Sequence, residues 1–261
     1  MDHNQVGKYW DENADAWTKL SREGYDVYRD HLNTPAFLRM LPDVSGLHGL
    51  DIGCGEGANT RLLRERGAKM TAIDISEKFV HYAHNPEAKT SNPIAYAITS
   101  AVELPFPAQS FDFASAFMSL MDIPETESAI RETHRVLKPG GFLQFSISHP
   151  CNDTPHRANL RDENGRTYAI EIGDYFRNMQ GEISEWLFSA APEEAKQGLS
   201  PFKIPRFTHT LSEWFNLLID CGFTIERVAE PYPDDDTVEH YPNLQDAQVV
   251  AYFLIVRVRK P

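Results

Sequence analysis

Gly53, Gly55 and Gly57 follow the apolar run Leu50-Asp51-Ile52, and Asp74 stands near the end of a second run, Met70-Thr71-Ala72-Ile73-Asp74-Ile75. Closely spaced glycines let a backbone turn sharply and approach a ligand without interference from Cβ atoms, and a following helix offers it free N–H groups. An acid at a strand end about twenty residues beyond such a turn is placed to meet a ribose in a wound α/β sheet. Together these residue types supply the chemistry of nucleotide-type cofactor binding. The glycines also parse as G-x-G-x-x-A, with Gly53, Gly55 and Ala58, the pyrophosphate fingerprint of an NAD enzyme. The loop alone leaves both readings open.

The elements that must hold these groups are legible as alternation. From Leu47 onward, strand-like runs (47–53, 70–75, 94–98, 111–117 and 142–148) alternate with helical patterns, which is the signature of a parallel sheet covered on both faces. The helix predicted over 125–137 ends at Lys138-Pro139-Gly140-Gly141, a stop signal of cation, proline and glycine. Another helix is expected over 211–221. After Gly222 two further runs, 223–228 and 249–258, are separated by an acidic, proline-containing loop at 231–242. With no crossover helix between them they should pair antiparallel. The expected fold is a doubly wound α/β sheet of seven strands, mostly parallel, with an antiparallel C-terminal edge.

Two aromatic-rich segments lie outside this core. Residues 1–46 contain Tyr9, Trp10, Trp17, Tyr25, Tyr28 and Arg29 and read as a helical cap. The insertion over about 149–208 contains Tyr168, Tyr175, Phe176, Trp186, Phe188, Phe202 and Phe207, too many aromatics for a disordered linker, and Asn164-Gly165 suits a hairpin turn. A folded lid is expected there, inserted into an α/β unit that begins at residue 47.

At 261 residues with 41% hydrophobic side chains, the chain can bury a substantial core. Its charge of −13, from 25 basic and 38 acidic residues, opposes a phosphate backbone or an anionic bilayer. A small-molecule substrate is therefore expected, with neither nucleic acid nor membrane as partner. No run reaches the roughly 20 apolar residues needed to span a bilayer, and the first residues carry no signal-peptide core. Cys54, Cys151 and Cys221 are too few and too scattered for a zinc site or a disulfide framework, so no metal is expected and a reducing compartment is. The expectation is a cytoplasmic monomer or homodimer.

Four segments in register resemble class I S-adenosylmethionine-dependent methyltransferases, specifically the small-molecule, ubiquinone-biosynthesis-like (type 11) branch. They are Leu50-Asp51-Ile52-Gly53-Cys54-Gly55-Glu56-Gly57, then Ala72-Ile73-Asp74-Ile75-Ser76, then Glu103-Leu104-Pro105-Phe106-Pro107 with Ser110-Phe111-Asp112, and finally Arg135-Val136-Leu137-Lys138-Pro139-Gly140-Gly141. The resemblance implies a Rossmann-like methyltransferase fold, S-adenosylmethionine as cofactor and S-adenosylhomocysteine as product. By it, Gly53, Cys54 and Gly55 pass under the methionine part, Asp51 faces the ammonium, Asp74 takes both ribose hydroxyls and Ile75 lies on the adenine face. Where many relatives carry an acid for the adenine amino group this chain has Ser100, a weaker acceptor, beside Ala101. Phe117 and Met118 border the methionine tail, through backbone as much as side chain. Asp112, which opens a strand, is read as structural.

Beyond the motifs, His149 follows the fifth strand at the sheet edge where ligands bind, and Pro150 turns the chain away from it. It is the general-base candidate, weighed against the structural role that a lone strand-end histidine more often has. Arg29 is a candidate cation for the cofactor's carboxylate, with Tyr28 beside it. Against the methyltransferase stand an NAD-dependent oxidoreductase and a catalytically silent cofactor-binding module. Asp51, awkward beside a pyrophosphate, favours the methyltransferase over the NAD enzyme.

Overall fold

Two helices, α1 (His3–Arg22) and α2 (Thr34–Met40), precede the first strand, with a π-helical turn at Arg29–Asn33 between them. The computed structural model describes residues 1–84 and 92–261. The apolar runs form β1 (His48–Ile52), β2 (Lys69–Asp74), β3 (Ala95–Ile98), β4 (Phe111–Phe117) and β5 (Leu137–Ser148). Between them lie α3 (Ala58–Glu65), α4 (Glu77–His84), a short 3-10 turn at Leu120–Asp122, and α5 (Thr126–Val136).

The insertion folds as β6 (His156–Arg161), β7 (Thr167–Gly173), β8 (Gln180–Trp186), a helical turn α6 (Glu193–Lys196) and β9 (Phe202–Phe207). The chain then completes its sheet through α7 (Leu211–Asp220), β10 (Thr224–Ala229), a short helix α8 (Asp235–His240) and β11 (Phe253–Arg259).

The seven strands lie in the order β10-β11-β5-β4-β1-β2-β3. Neighbours among β1 to β5 run parallel, while β11 is antiparallel to both β5 and β10. Side-chain alternation sends Leu50, Ile52, Leu143 and Phe145 to a core under α5 and α7, with Ile130, Trp214 and Leu218. On the opposite face Met70, Phe113, Phe142 and Ile255 pack with Phe37, Leu41 and Leu63 of α2, its C-terminal end and α3. Each central strand is thus apolar on both sides, and its polar exceptions mark where something other than core must be met.

Two details depart from the sequence expectation. Residues 231–242 are not a plain loop: Asp234 caps α8 by accepting the Thr237 N–H at 2.8 Å, and a 3-10 turn follows at Pro242–Gln248. Helices this short and acidic lack the apolar stripe that periodicity detects. The Lys138-Pro139-Gly140-Gly141 segment does not precede β5 but belongs to it. Leu137 pairs with Phe111, and the register shifts before Phe142 meets Phe113.

The insertion makes two antiparallel hairpins, β6 with β7 and β8 with β9, the first turning through Asn164-Gly165 with Gly165 at φ +80°. Side-chain amides fasten both to the rest. Asn13 of α1 donates to the Lys203 carbonyl and accepts its N–H, both at 2.9 Å. Gln245 does the same for Thr167, at 2.9 and 2.8 Å. Each amide satisfies one edge residue as a neighbouring strand would. Trp17 of α1 completes the join, its ring 4.9 Å from Phe188, 4.8 Å from Phe202 and 5.6 Å from Trp186. Helix α1 and the second hairpin form one aromatic wall.

Candidate functional site

The chain winds outward in opposite directions from β1 and β4, so the carboxyl ends of these strands flank a crevice where ligands of open α/β sheets bind. A cavity of about 630 Å³ opens there, within the roughly 300–1,000 Å³ usual for small-molecule sites. Its floor is the glycine turn. Gly53, at φ +69°, and Cys54 both donate their N–H groups to the Ile73 carbonyl at 2.9 Å. A Cβ on Gly53 would stand 2.4 Å from Ser119 Cβ, so this residue has room for hydrogen alone. Gly55, at φ +54°, lines the cavity, and a Cβ there would meet no described atom within 4 Å.

Two carboxylates lie along this floor. Asp74 accepts the Gly55 N–H at 2.8 Å through Oδ2 and the Ser76 N–H at 2.9 Å through Oδ1. Asp51, 1% exposed, accepts the Ser115 hydroxyl at 2.7 Å and the Thr60 hydroxyl at 2.5 Å. Burial pushes both carboxyls up to about 6, against the opposing pull of those donors. A carboxylate has about four lone-pair sites, so each retains acceptor capacity toward the cavity. Nearby, Asn33 donates to Ser146 Oγ at 3.0 Å while its own Oδ1 is buried without a partner.

Thr99, Ser100 and Ala101 line the cavity beyond β3, with Ile75 after β2. Ser100 Oγ accepts the Val102 N–H at 3.3 Å. At the end of β4, Phe117 stacks on Phe37 with centroids 3.8 Å apart. Met118 adopts φ +55°, a left-handed conformation that costs a non-glycine residue on the order of 1–3 kcal/mol. Its N–H is held by the Ser146 carbonyl at 3.0 Å, so backbone placement outweighs local preference there. Burial pushes the Cys54 thiol well above its usual value, and it stays protonated.

Three sequence expectations change on contact with the structure. Arg29 lines the cavity but is not a free cation: its Nε donates to Asp30 at 2.7 Å, Nη1 to Ser21 at 2.5 Å, and Asp26 lies 3.8 Å away. The Tyr28 hydroxyl is spent on Asp246 at 2.6 Å and on the Asn243 carbonyl, so Tyr28 offers the cavity its ring, stacked 4.3 Å from Tyr252. His149 does not line the cavity. Its Nδ1 accepts the Cys151 N–H at 3.1 Å and its Nε2 lies 3.0 Å from Glu230, while burial holds the imidazole below its usual value. These contacts engage both ring nitrogens of the general-base candidate.

The structure also brings in groups that sequence reasoning missed. Asp122 on the 3-10 turn after β4, Asp153 before β6 and Arg206 on β9 line the cavity together with Asn152, Arg157 and Tyr252. Only Asp122 left a trace in the sequence, five residues past Phe117 at a strand's carboxyl end. The others come from segments whose meeting no local pattern encodes.

A family model described as a methyltransferase domain matches residues 50–145, the stretch from β1 to β5 that carries the glycine turn and Asp74. The O-methyltransferase cnsE of Penicillium expansum is 30% identical over 170 residues, 58% of this chain and 61% of that protein. The demethylmenaquinone methyltransferase of Tropheryma whipplei is 37% identical over 116 residues, 44% of this chain and 48% of that one. This chain thus spans roughly half to three fifths of those two relatives. The crystal structure of an S-adenosylmethionine-dependent methyltransferase from Mesorhizobium loti matches with a TM-score of 0.69 and 30% identity, over 87% of this chain and 96% of that one. Identity at that level, sustained over nearly all of the solved chain, goes beyond likeness of fold: this protein belongs to the S-adenosylmethionine-dependent methyltransferases.

Proposed function

We propose that the protein transfers the methyl group of S-adenosylmethionine to a small, partly apolar molecule, releasing S-adenosylhomocysteine. The observation that carries this reading is the single cavity that joins the Gly53–Gly55 turn and Asp74 to the aromatic wall of Trp17, Trp186 and Phe188. The donor set suits the cofactor: bare backbone at Gly55, a carboxylate for a diol at Asp74, and the Asp51 carboxylate with the orphan Asn33 oxygen for an ammonium. Ile75, Ser100 and Ala101 then take the adenine, and Phe117 and Met118 the methionine tail. When bound, S-adenosylmethionine supplies a methyl carbon on a sulfonium, open to in-line displacement.

The chain's own task is to align an acceptor with that carbon and to exclude water, which can contribute several powers of ten. In this reading residues 1–46 act as a cap and 149–208 as a lid on a unit beginning at residue 47. The aromatic wall favours a partly apolar acceptor, and the charge of −13 disfavours nucleic acid and anionic membranes. Among the described residues no helix is long and apolar enough to cross a membrane. We place the protein in the cytoplasm, as a monomer or homodimer.

Thermal unfolding tests the cofactor. S-adenosylhomocysteine at 100 times its Kd stabilises by about 2.7 kcal/mol, and NAD leaves the transition unmoved; stabilisation by NAD alone overturns the reading. The pH dependence is a further expected result. Asp51 and Asp74, raised to about 6, hold protons in the folded protein that the unfolded chain has released above about 4. Stability without ligand therefore falls as pH rises from about 4 to about 6. S-adenosylhomocysteine uses the ionised carboxylates, so its affinity declines as pH drops through 6, by up to about tenfold per unit for each group. Calorimetry between pH 5 and 8 reads this directly, and a flat profile contradicts it.

His149→Ala is expected to orphan the half-buried Cys151 N–H and cost about 1 kcal/mol of stability, with unchanged affinity for S-adenosylhomocysteine. Loss of affinity in a variant that still melts cooperatively would restore His149 to the site.

A further inference from the structure

The cavity has a second end, remote in sequence from the glycine turn, and one group there stands out. Asp122 closes the 3-10 turn that follows β4, three residues after Ser119, whose hydroxyl bonds the Ile52 carbonyl at 2.5 Å beside Gly53. It is thereby tied to the same strand end as the methionine side of the site. Asp122 lines the cavity, and no described residue donates a hydrogen bond to its carboxyl, although its backbone N–H is satisfied by the Ser119 carbonyl at 3.0 Å. The other carboxyls along the cavity are engaged: Asp51 by two hydroxyls, Asp74 by two N–H groups, Glu56 by Arg22 and Arg61, Asp153 by Arg206, Asp26 by the Arg29 backbone.

We propose that Asp122 is the catalytic residue that takes the proton from the methyl acceptor, and that the acceptor therefore presents an O–H or N–H to it. This rests on the methyltransferase reading above. In the step, the acceptor's oxygen or nitrogen forms its bond to the methyl carbon as the methyl–sulfur bond breaks, the electron pair staying on sulfur. The O–H or N–H proton passes to Asp122 and then to solvent. Charge balances, since one positive charge is lost at sulfur and one carboxylate is neutralised.

The surroundings suit a base. Burial and the neighbouring Asp153 push the Asp122 carboxyl well above its usual range, with Arg206 of the lid strand β9 opposing. These two are the charged groups that face it. A carboxyl whose affinity for protons is raised toward working pH is a better base. Because the Arg206 guanidinium is bound to Asp153 and to the Thr154 carbonyl at 3.3 Å, it moderates the charge of Asp122 without occupying it. The lid thus contributes to the reacting end as well as covering it.

The test uses the whole protein saturated with S-adenosylhomocysteine. In protein labelled with 13C at the aspartate carboxyls, the resonance that disappears in Asp122→Asn should titrate above the ordinary aspartate range. It should also shift when phenol or benzylamine is added, and the probe that moves it more shows whether a hydroxyl or an amine is the natural donor. A resonance that titrates near 4, or that neither probe moves, overturns the proposal. For any phenol or amine that the wild type methylates, Asp122→Asn should lower turnover by at least about 100-fold while calorimetry gives an unchanged Kd for S-adenosylhomocysteine, and Asp122→Glu should recover part of it. Wild-type turnover in Asp122→Asn overturns the proposal too. Failure of the wild type to bind S-adenosylhomocysteine at all sinks the underlying reading instead, so the two failures are distinct.

Discussion

Asp74→Ala is expected to abolish measurable binding of S-adenosylhomocysteine. Two ribose hydroxyls donating to a charged, buried acceptor are worth about 1.5–3 kcal/mol each, so their loss weakens binding by on the order of 100-fold at the least. The structure adds a second route to the same outcome. Asp74 holds the Gly55 N–H at 2.8 Å, so the carboxylate shapes the glycine turn that lines the cavity. Stability should respond less than affinity. Removing the side chain relieves a buried charge but orphans the Gly55 and Ser76 N–H groups, terms of opposite sign. Calorimetry beside thermal unfolding separates the two, and an unchanged Kd in a folded variant removes Asp74 from the site. Asp74→Asn, which keeps one acceptor oxygen but sets an amide against an N–H, should fall between.

Gly53→Ala should damage the fold as much as the site. The residue sits at φ +69°, where an L side chain costs roughly 1–2 kcal/mol. Its Cβ would also fall 2.4 Å from Ser119 Cβ and 2.9 Å from Ser119 Oγ. The neighbours cannot easily yield: the Gly53 and Cys54 N–H groups are both bound to the Ile73 carbonyl, and Ser119 is bound to the Ile52 carbonyl. Overpacking of this kind costs a further 1–3 kcal/mol or so. The sum, about 2–5 kcal/mol, should lower Tm by on the order of 10 °C in a chain of this size and remove S-adenosylhomocysteine binding. The double variant Gly53→Ala with Ser119→Gly should recover part of the stability, because the steric term is then gone while the backbone term remains. A Tm within a degree or two of wild type in the single variant would show that the turn is not held as described.

Much of this site was legible because its parts are local. The glycine turn, Asp51 and Asp74 lie within 24 residues, on strands whose apolar alternation and right-handed crossovers leave little freedom of arrangement. The strand-end positions of Ser100, Phe117 and Met118 follow by the same rule, and all three line the cavity. His149 misled because a strand-end position shows that a side chain is near the ligand-bearing edge but not which way it faces. Its ring turns to Glu230 and Cys151, 81 and 2 residues away, and neither contact has a sequence signature. Arg29 lines the cavity, but its anionic partners are Asp30, inside the π-helical turn, and Asp26, three residues before that turn begins, a geometry that periodicity does not reveal.

The sequence by itself determined the sheet, its covering helices and the cofactor-side floor, because these depend on periodicity and on contacts between residues close along the chain. Only the tertiary structure decided the far end of the cavity. Trp17 meets Trp186 and Phe188 across about 170 residues, and Asp122 shares its chamber with Asp153 and Arg206. Such meetings are fixed by how α1 and the inserted hairpins dock, through Asn13 on Lys203 and Gln245 on Thr167. A hydrophobic pattern states that a face will be buried, but the partner is chosen by shape and by the pairing of polar groups, which come into being only when the chain has folded.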